Sequence, residues 1–443
     1  MKTSKLAVAV LGALFAMSAE AGQYVLQASK WGASQEAAVA KAGGTVKFSN
    51  DKAGLAVVES DNPNFLASAV AGGAVTSGAA DMMVQWTQPT VVELSAVNPG
   101  DDTYYNHVQW APQSVEAPAA WDLGFDGSGV RVAVIDGGIY AAHVDLAGAV
   151  DVGASRSFAS GTPNGCIEVF NCDVGTFWHG THVAGIIAAR DNDKGVVGIA
   201  PRATIVGVKA LHNGSGSFGA VISALLYAST DGRADIINMS LGAEFGRSEQ
   251  GAAELRSALN RAVNFATAHG SLVVVSAGNS AIDFDTAKDY TVTPAESGNA
   301  IAVSATGPLG FGVGATDFSR PASYSNYGSS LVWVAGPGGD AAYPNRTAVC
   351  SAPPIVQRCY VLDFVFSTAR GSSVNGSYAW AAGTSMAAPA VSAVAALIKQ
   401  KYPAATPAQL KTKLAQSATD EGKVGHDDFY GNGYVNARRA VTQ

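Results

Sequence analysis

Three polar residues end apolar runs in this chain. Asp136 follows "VAVI", Ser240 follows "IINM" and Asn279 follows "VVVSAG". Each alone is typical of an ordinary strand end, where polar turn residues are common. If the runs are parallel strands, however, their carboxyl ends share one edge of a sheet, where α/β proteins gather ligands and catalysts. The pattern therefore predicts one polar site built from several strand ends.

Two histidines and a serine add reactive groups. "HGTHVAG" supplies His179 and His182, and two histidines three apart on a helix can bind zinc. No third ligand with matching spacing follows, so we expect His182 to be a buried, hydrogen-bonded core residue. Ser385 opens the small-residue run "GTSMAAPA". Thr384 or Ser385 could simply cap a helix, but a serine there also lies beside free N–H donors for an oxyanion.

Apolar strands alternate with helices over most of the chain. This alternation predicts an α/β fold, with a parallel sheet flanked by helices on both faces. We expect strands at 130–136, 204–211, 234–240, 271–279 and 300–307, and helices at 180–190, 217–229, 250–269 and from about 385.

The first hundred residues follow another pattern. Strands at 24–28, 45–49, 55–60 and 81–86 and helices at 34–43 and 64–72 give the order β-α-β-β-α-β, which predicts a small α+β, ferredoxin-like unit. The polar stretch "SAVNPGDDTYYN" at 95–106 is typical of an exposed linker.

The composition narrows the class of protein. The 443 residues are 48% hydrophobic and 14% charged, which suits a large core and not a disordered chain. A net charge of −7 without a Lys/Arg cluster excludes nucleic acid as a partner. Lys2 and Lys5, the apolar run 6–18 and "AEA" at 19–21 predict a signal peptide cut after Ala21, the alternative being an uncleaved anchor. We therefore expect a secreted protein without a membrane span after signal removal.

Export permits disulfides. The four cysteines allow three connectivities, among which sequence cannot choose. We expect the local bridges Cys166–Cys172 and Cys350–Cys359, since close partners meet most often.

Five blocks together resemble the subtilisin-like serine proteases: "VAVIDGGI", "HGTHVAG", "INMSLG", "SAGN" and "GTSMAAP". Each block alone is weak, but all five occur in the family's order. The resemblance covers roughly 107–443 and ends in "GNGYVNARRAV". The motif around Ser385 is G-x-S-x-A, which argues against an α/β-hydrolase.

The resemblance implies a catalytic machinery without a cofactor. Ser385 would be the nucleophile, His179 its base, and Asp136 the residue that orients His179. The Asn279 side chain and the Ser385 N–H would bind the oxyanion.

The resemblance also implies two edges that bind an extended peptide and the walls of its primary pocket. These residues are Gly214, Ser215, Gly216, Phe218, Ser240, Leu241, Gly242, Ala277, Gly278 and the segment around Pro294. They carry no charge, so we expect broad specificity with a preference for large apolar residues before the cut.

A structural calcium site is a further implication. Asp145 and Asn192 would supply side-chain oxygens, and Arg190, Lys194 and Val196 backbone oxygens. The alternative is a polar surface loop.

The family organisation implies that residues 22–104 form a propeptide. It would assist folding, occupy the groove and be cut away from a monomeric peptidase domain at 105–443. Two alternatives on the same fold are an inactive peptide-binding pseudoprotease and a transpeptidase.

One position departs from the family pattern. Ser or Thr usually follows the aspartate, where its hydroxyl can bond the carboxylate, but Gly137 follows Asp136. The missing hydrogen bond must come from backbone or water, or be absent. We expect Gly137→Ser to change the turnover rate or its pH profile.

Overall fold

The computed structural model describes residues 19–87, 89–94, 104–105, 107–161, 165–249 and 251–443. Residues 1–18 of the predicted signal peptide and most of the predicted linker, 95–103 and Asn106, lie outside the described residues. The predicted cut after Ala21 would fall within the first strand, Ala19–Gln27.

Helices and strands alternate through the described residues. The helices are α1 Ala33–Lys41, α2 Phe65–Ala71, α3 Ala111–Ser114, α4 Ala117–Trp121, α5 His179–Ala188, α6 Phe218–Ser229, α7 Ala252–Ala268, α8 Thr384–Lys401, α9 Pro407–Ser417 and α10 Ala437–Thr442. The strands are β1 Ala19–Gln27, β2 Thr45–Asn50, β3 Leu55–Glu59, β4 Ser77–Gln85, β5 Thr90–Leu94, β6 Arg131–Asp136, β7 Arg156–Ser157, β8 Thr204–Lys209, β9 Ser215–Ser217, β10 Ile236–Met239, β11 Ala243–Gly246, β12 Leu272–Ser276, β13 Tyr290–Thr293, β14 Ile301–Thr306, β15 Val334–Pro337, β16 Val349–Ala352, β17 Ile355–Arg358, β18 Val365–Ala369 and β19 Ser377–Ala382.

A seven-stranded sheet forms the centre, in the order β15-β14-β12-β10-β6-β8-β7. Its pairs are parallel, which confirms the predicted sheet. The five predicted strands lie within it, because their Val, Ile and Ala residues are buried on both faces. The sequence analysis did not predict β7 and β15. The first has two residues, and the second ends in Gly336 and Pro337, residues that are rare in strands.

Helices cover both faces of this sheet, as predicted. Val132 and Val134 of β6 pack in one hydrophobic cluster with α5 and α8. Ala133 and Ile135 point the other way, into a second cluster with α6 and α7. Because β6, β10 and β12 are parallel, their carboxyl ends lie at one edge of the sheet, between the two helix layers.

The N-terminal unit has the predicted order β1-α1-β2-β3-α2-β4, and its helices and strands lie within a few residues of the predicted positions. Its antiparallel sheet has the order β2-β3-β1-β4 and continues into β9 of the following domain. A separate small core lies under its helices. Strand β5 joins β18 and β19 in another sheet.

Both expected disulfides are present, Cys166–Cys172 and Cys350–Cys359. Among the helices that the structure describes, none is long and apolar enough to cross a bilayer.

Candidate active site

Asp136 and His179 are neighbouring buried residues of the site. Asp136 ends β6 and is 0% exposed, and His179 begins α5 and is 8% exposed. The imidazole Nδ1 lies 2.9 Å from Asp136 Oδ1 and 2.8 Å from Oδ2. A carboxylate on Nδ1 selects the tautomer whose Nε2 is free to accept a proton. Nε2 is buried and has no hydrogen-bond partner among the described residues.

The backbone supplies the hydrogen bond that the departure at Gly137 leaves open. The Gly137 N–H donates to Asp136 Oδ1 over 2.6 Å. A Cβ on Gly137 would lie 2.1 Å from Asp173 Oδ2, so the carboxylate of Asp173 fills the place of a side chain. Sequence reasoning missed Asp173, which follows Cys172 in an irregular loop.

Ser385 lies in the first turn of α8 and is 3% exposed. Its Oγ donates to the carbonyl of Ser240 over 3.1 Å, and Ser240 Oγ donates back to the Ser385 carbonyl over 2.7 Å. Behind them, Asn238 bonds both Ser240 Oγ and Ser392 Oγ. The residue at the cap position is Gly383, without a side-chain bond, so the capping interpretation of Thr384 and Ser385 is wrong.

Asn279 lies beside this helix N-terminus. Its Oδ1 accepts from the N–H of Thr384 over 2.9 Å and from its hydroxyl over 2.8 Å. Its Nδ2 lies 3.4 Å from the position that a Cβ on Gly383 would take. Thr384 therefore fixes the amide so that its NH₂ end faces the backbone leading into Ser385, a role that sequence reasoning did not assign.

The two predicted edges hold an extended segment of the chain itself. Trp86 N–H donates to the Gly214 carbonyl over 2.9 Å, and the Gly242 N–H donates to the Trp86 carbonyl over 3.2 Å. The indole Nε1 donates to the Gly216 carbonyl over 2.8 Å, and the ring lies 5.0 Å from that of Phe218. Ser215 Oγ donates to Gln85 Oε1 over 2.6 Å. The structure thus brings these predicted residues together around one peptide strand.

Polar side chains that sequence reasoning missed lie behind the predicted pocket wall at Ala277 and Gly278. Asn326 Nδ2 donates to the Ala277 carbonyl over 2.9 Å and to Glu244 Oε1 over 2.6 Å. Ser280 Oγ donates to the other Glu244 oxygen. A carboxylate therefore lies behind a wall whose own residues are uncharged. Leu241 and Pro294 are buried.

His182 is a core residue, as predicted. It is 0% exposed, and its Nε2 lies 3.1 Å from the Ala379 carbonyl. Burial lowers its pKa to about 3, so it stays neutral. No group of three His, Cys, Asp or Glu side chains in the described part of the chain is arranged to hold a metal ion.

The predicted calcium residues come from two segments that contact each other, the turn Val144–Leu146 and the loop after α5. Asn192 Nδ2 donates to the Val144 carbonyl over 3.1 Å, next to Asp145, while Asn192 Oδ1 is buried with no hydrogen-bond partner among the described residues. Asp145 Oδ2 accepts the Val196 N–H over 2.9 Å, and the Arg190 N–H donates to the Asp145 carbonyl. A carboxylate and an unbonded amide oxygen suit calcium, so these residues fit the ion.

Similarity to known proteins identifies the family of this chain. The model of the subtilase family matches residues 127–433. This chain belongs to the subtilases. Thermitase from Thermoactinomyces vulgaris is 34% identical over 346 residues, which cover 77% of this chain and 98% of thermitase. Subtilisin Savinase from Lederbergia lenta is 36% identical over 342 residues, 75% of this subtilase and 98% of Savinase. The chain is accordingly a subtilisin-like serine endopeptidase.

Solved structures agree with the fold of this subtilase. The epidermin leader peptide processing serine protease from Staphylococcus aureus superposes with a TM-score of 0.75 and 22% identity, covering 95% of this chain and 97% of that one. At this identity the match speaks for the fold alone.

Proposed function

We propose that this subtilase is a secreted endopeptidase whose triad is Asp136, His179 and Ser385. The main support is the contact between His179 and Asp136. Both oxygens of the Asp136 carboxylate lie near His179 Nδ1, at 2.9 and 2.8 Å, and Ser385 lies in the first turn of its helix at the same edge of the sheet. Secretion is supported by the signal-like pattern of Lys2 and Lys5 followed by the apolar run 6–18, and by the two disulfides.

We assign each step of peptide hydrolysis to a residue of the site. Ser385 Oγ attacks the peptide carbonyl while its proton passes to His179 Nε2, the nitrogen left free by Asp136. The tetrahedral oxyanion accepts hydrogen bonds from Asn279 Nδ2 and from the Ser385 N–H at the helix N-terminus. His179 then returns the proton to the leaving amine, and an acyl group stays on Ser385 until water removes it. Each step uses side chains of this chain, so we infer no catalytic cofactor.

Trp86 is the basis for the proposed specificity. Its backbone bonds both edges, and its ring, 3% exposed, packs against Phe218. We infer that substrates add a strand at the same place and that large apolar residues are preferred, both beside Phe218 and in the primary pocket. Because the Asp136 carboxylate contacts His179 Nδ1 and Nε2 has no hydrogen-bond partner among the described residues, we favour catalysis over an inactive peptide-binding scaffold, and product analysis would distinguish hydrolysis from transpeptidation.

Substitution of the nucleophile tests the function. Ser385→Ala should abolish casein digestion while keeping the fold, since alanine fits the same helix turn. Ser351→Ala, an exposed serine in β16, is the matched control and should keep most activity. Casein digestion that persists in purified Ser385→Ala would overturn the proposal.

We also propose that residues 22–104 are an inhibitory propeptide. Residues 83–85 of β4 pair with β9, and β5 pairs with β19, the strand that leads to Ser385. In the uncut chain the N-terminal unit therefore occupies the edge at β9 and the strand before Ser385, where we infer that substrate binds. A cut beyond β5 and dissociation of the N-terminal unit would open both.

The N-terminus of the secreted enzyme tests this proposal. We expect sequencing to find it near residue 105. We also expect Trp86→Ala to speed the appearance of activity, because the variant loses the indole hydrogen bond to Gly216 and the contact with Phe218. Lys52→Ala, exposed in the same unit, should behave as wild type. An active enzyme that begins near residue 22 would contradict the propeptide role.

We also propose that the enzyme is a monomer.

We propose that Asp145 and Asn192 hold a structural calcium ion. Calcium should raise the midpoint of thermal unfolding of Ser385→Ala by several degrees, since a ligand at 100 times its Kd stabilises by about 2.7 kcal/mol. Asn192→Ala should remove the response, and Asp193→Asn, exposed in the same loop, should keep it. An equal calcium response in Asn192→Ala would exclude this site.

A further inference from the structure

The Asp173 carboxylate is fixed against the turn that follows the catalytic aspartate. Its Oδ2 accepts the Gly138 N–H over 2.9 Å. Its Oδ1 accepts the Asn213 N–H over 2.8 Å and the Val174 N–H over 2.9 Å, with His212 Nδ1 at 3.5 Å. The side chain is only 6% exposed. One carboxylate thus joins the turn after Asp136 to the residue that precedes the substrate edge at Gly214.

The carboxylate of Asp173 lies directly after a loop closed by a disulfide. Cys172, the residue before Asp173, is bonded to Cys166. Lys209, 0% exposed, donates its Nζ hydrogens to the carbonyls of both cysteines, over 2.9 and 2.6 Å. Lys209 is also the β8 residue paired with Asp136 in the central sheet. The loop is therefore fastened to the strand next to the catalytic aspartate.

The Asp173 carboxylate can take this position only because residue 137 is a glycine. A Cβ there would meet Asp173 Oδ2 at 2.1 Å, closer than any real contact. Gly137 does not have a positive φ, so its backbone would accept a side chain. Only the carboxylate of Asp173 excludes one.

We propose that Asp173 is a positioning residue of the protease reaction, which replaces the side chain usually found after the catalytic aspartate. It holds the Gly137–Gly138 turn, and through it Asp136 and His179, and it holds Asn213 at the entry to the substrate edge. The proposal rests on the triad proposed above. It predicts that Gly137 and Asp173 are coupled, so that a residue with a side chain at 137 works only when the carboxylate is gone.

A double-mutant cycle tests the coupling. Kinetics are measured on wild type, Gly137→Ser, Asp173→Ala and the double variant, each matured enzyme being normalised by titration of its active sites. Each single change should lower kcat by about tenfold, because small displacements of a catalytic group are costly. The double variant should recover kcat to within a few-fold of wild type. Its KM should stay raised, since the hydroxyl introduced by Gly137→Ser cannot replace the bond to Asn213.

Two controls separate positioning from general damage. Glu168→Ala removes an exposed carboxylate from the same disulfide loop and should leave kcat and KM unchanged. Asp173→Asn keeps the bulk of the side chain, so Gly137→Ser should not be rescued in that background. Thermal unfolding of each variant on a Ser385→Ala background shows whether it folds.

Three results would each overturn the proposal: kcat of Asp173→Ala within twofold of wild type, full activity of Gly137→Ser alone, or a double variant no faster than the slower single one. Casein digestion by wild type and its loss in Ser385→Ala are established first. Failure of the cycle in an active wild type then contradicts the role of Asp173 and leaves the triad standing.

Discussion

The Ser385 half of the active site rests on regular elements, whereas the Asp136 half depends on an irregular loop. Ser385 is bonded to Ser240, which is bonded to Asn238 of β10, and Asn279 is bonded to Thr384 of α8. The turn after Asp136 contains two glycines and is held from outside by Asp173 and the disulfide loop. The chain thus holds the proposed nucleophile within the packed fold and the proposed catalytic carboxylate with a crosslinked loop.

The largest effect should come from the carboxylate itself. Asp136→Asn should lower kcat by about 10⁴-fold, because an amide can stabilise the wrong tautomer of His179 and cannot stabilise its cation. Turnover of a peptide substrate measures it. A loss of only about tenfold in kcat, as expected for Asp173→Ala, would mean that Asp173 and Asp136 contribute equally to turnover. The proposed difference between a catalytic and a positioning carboxylate would then be wrong.

The Ser385 half should show a graded response. Asn279→Ala should cost about 3 kcal/mol of transition-state stabilisation, a magnitude that belongs to subtilisin, a member of this family. Thr384→Val removes the hydroxyl that bonds Asn279 Oδ1 but keeps the backbone bond, so kcat should fall by only about tenfold. Comparison of kcat/KM for the two variants checks the order. A Thr384→Val loss as large as that of Asn279→Ala would show that the hydroxyl, and not the amide, is the main group.

The two disulfides should differ in what they change. Alanines at Cys166 and Cys172 should lower kcat several-fold, since Asp173 follows the bridge directly. Alanines at Cys350 and Cys359 should lower the free energy of unfolding by about 2–3 kcal/mol with kcat kept. Steady-state kinetics and denaturant unfolding separate the two. Equal kcat values in both double variants would remove the special role of the first loop.

A separate effect, on stability in acid, involves the helix that carries His179. Burial lowers the pKa of His182 to about 3, against about 6.5 when unfolded. Between these values the unfolded chain binds the extra proton, so stability rises with pH and falls as the pH drops from 6.5, by up to about 1.4 kcal/mol per pH unit. Urea unfolding of Ser385→Ala at several pH values gives the slope. His182→Gln should have a shallower one, and identical slopes would contradict the assignment.

The sequence was sufficient for the elements and the residues that end them, but not for the contacts between distant loops. Hydrophobic periodicity predicts β6, β10 and β12, and polar residues at or shortly after their carboxyl ends identify Asp136, Ser240 and Asn279. Asp173 lies 35 residues from Gly138, its bonded partner, in a loop without periodicity, so no local pattern connects them. Trp86 likewise meets Gly216 across 130 residues.

Covalent labelling tests whether Ser385 is a nucleophile activated by His179. The matured enzyme is treated with a serine-directed fluorophosphonate and its peptides are mapped by mass spectrometry. We predict one adduct per molecule, on Ser385, and a labelling rate at least about 10³-fold slower in His179→Ala, because the unassisted hydroxyl is a poor nucleophile. An adduct on another serine, or equal labelling without His179, would contradict the account.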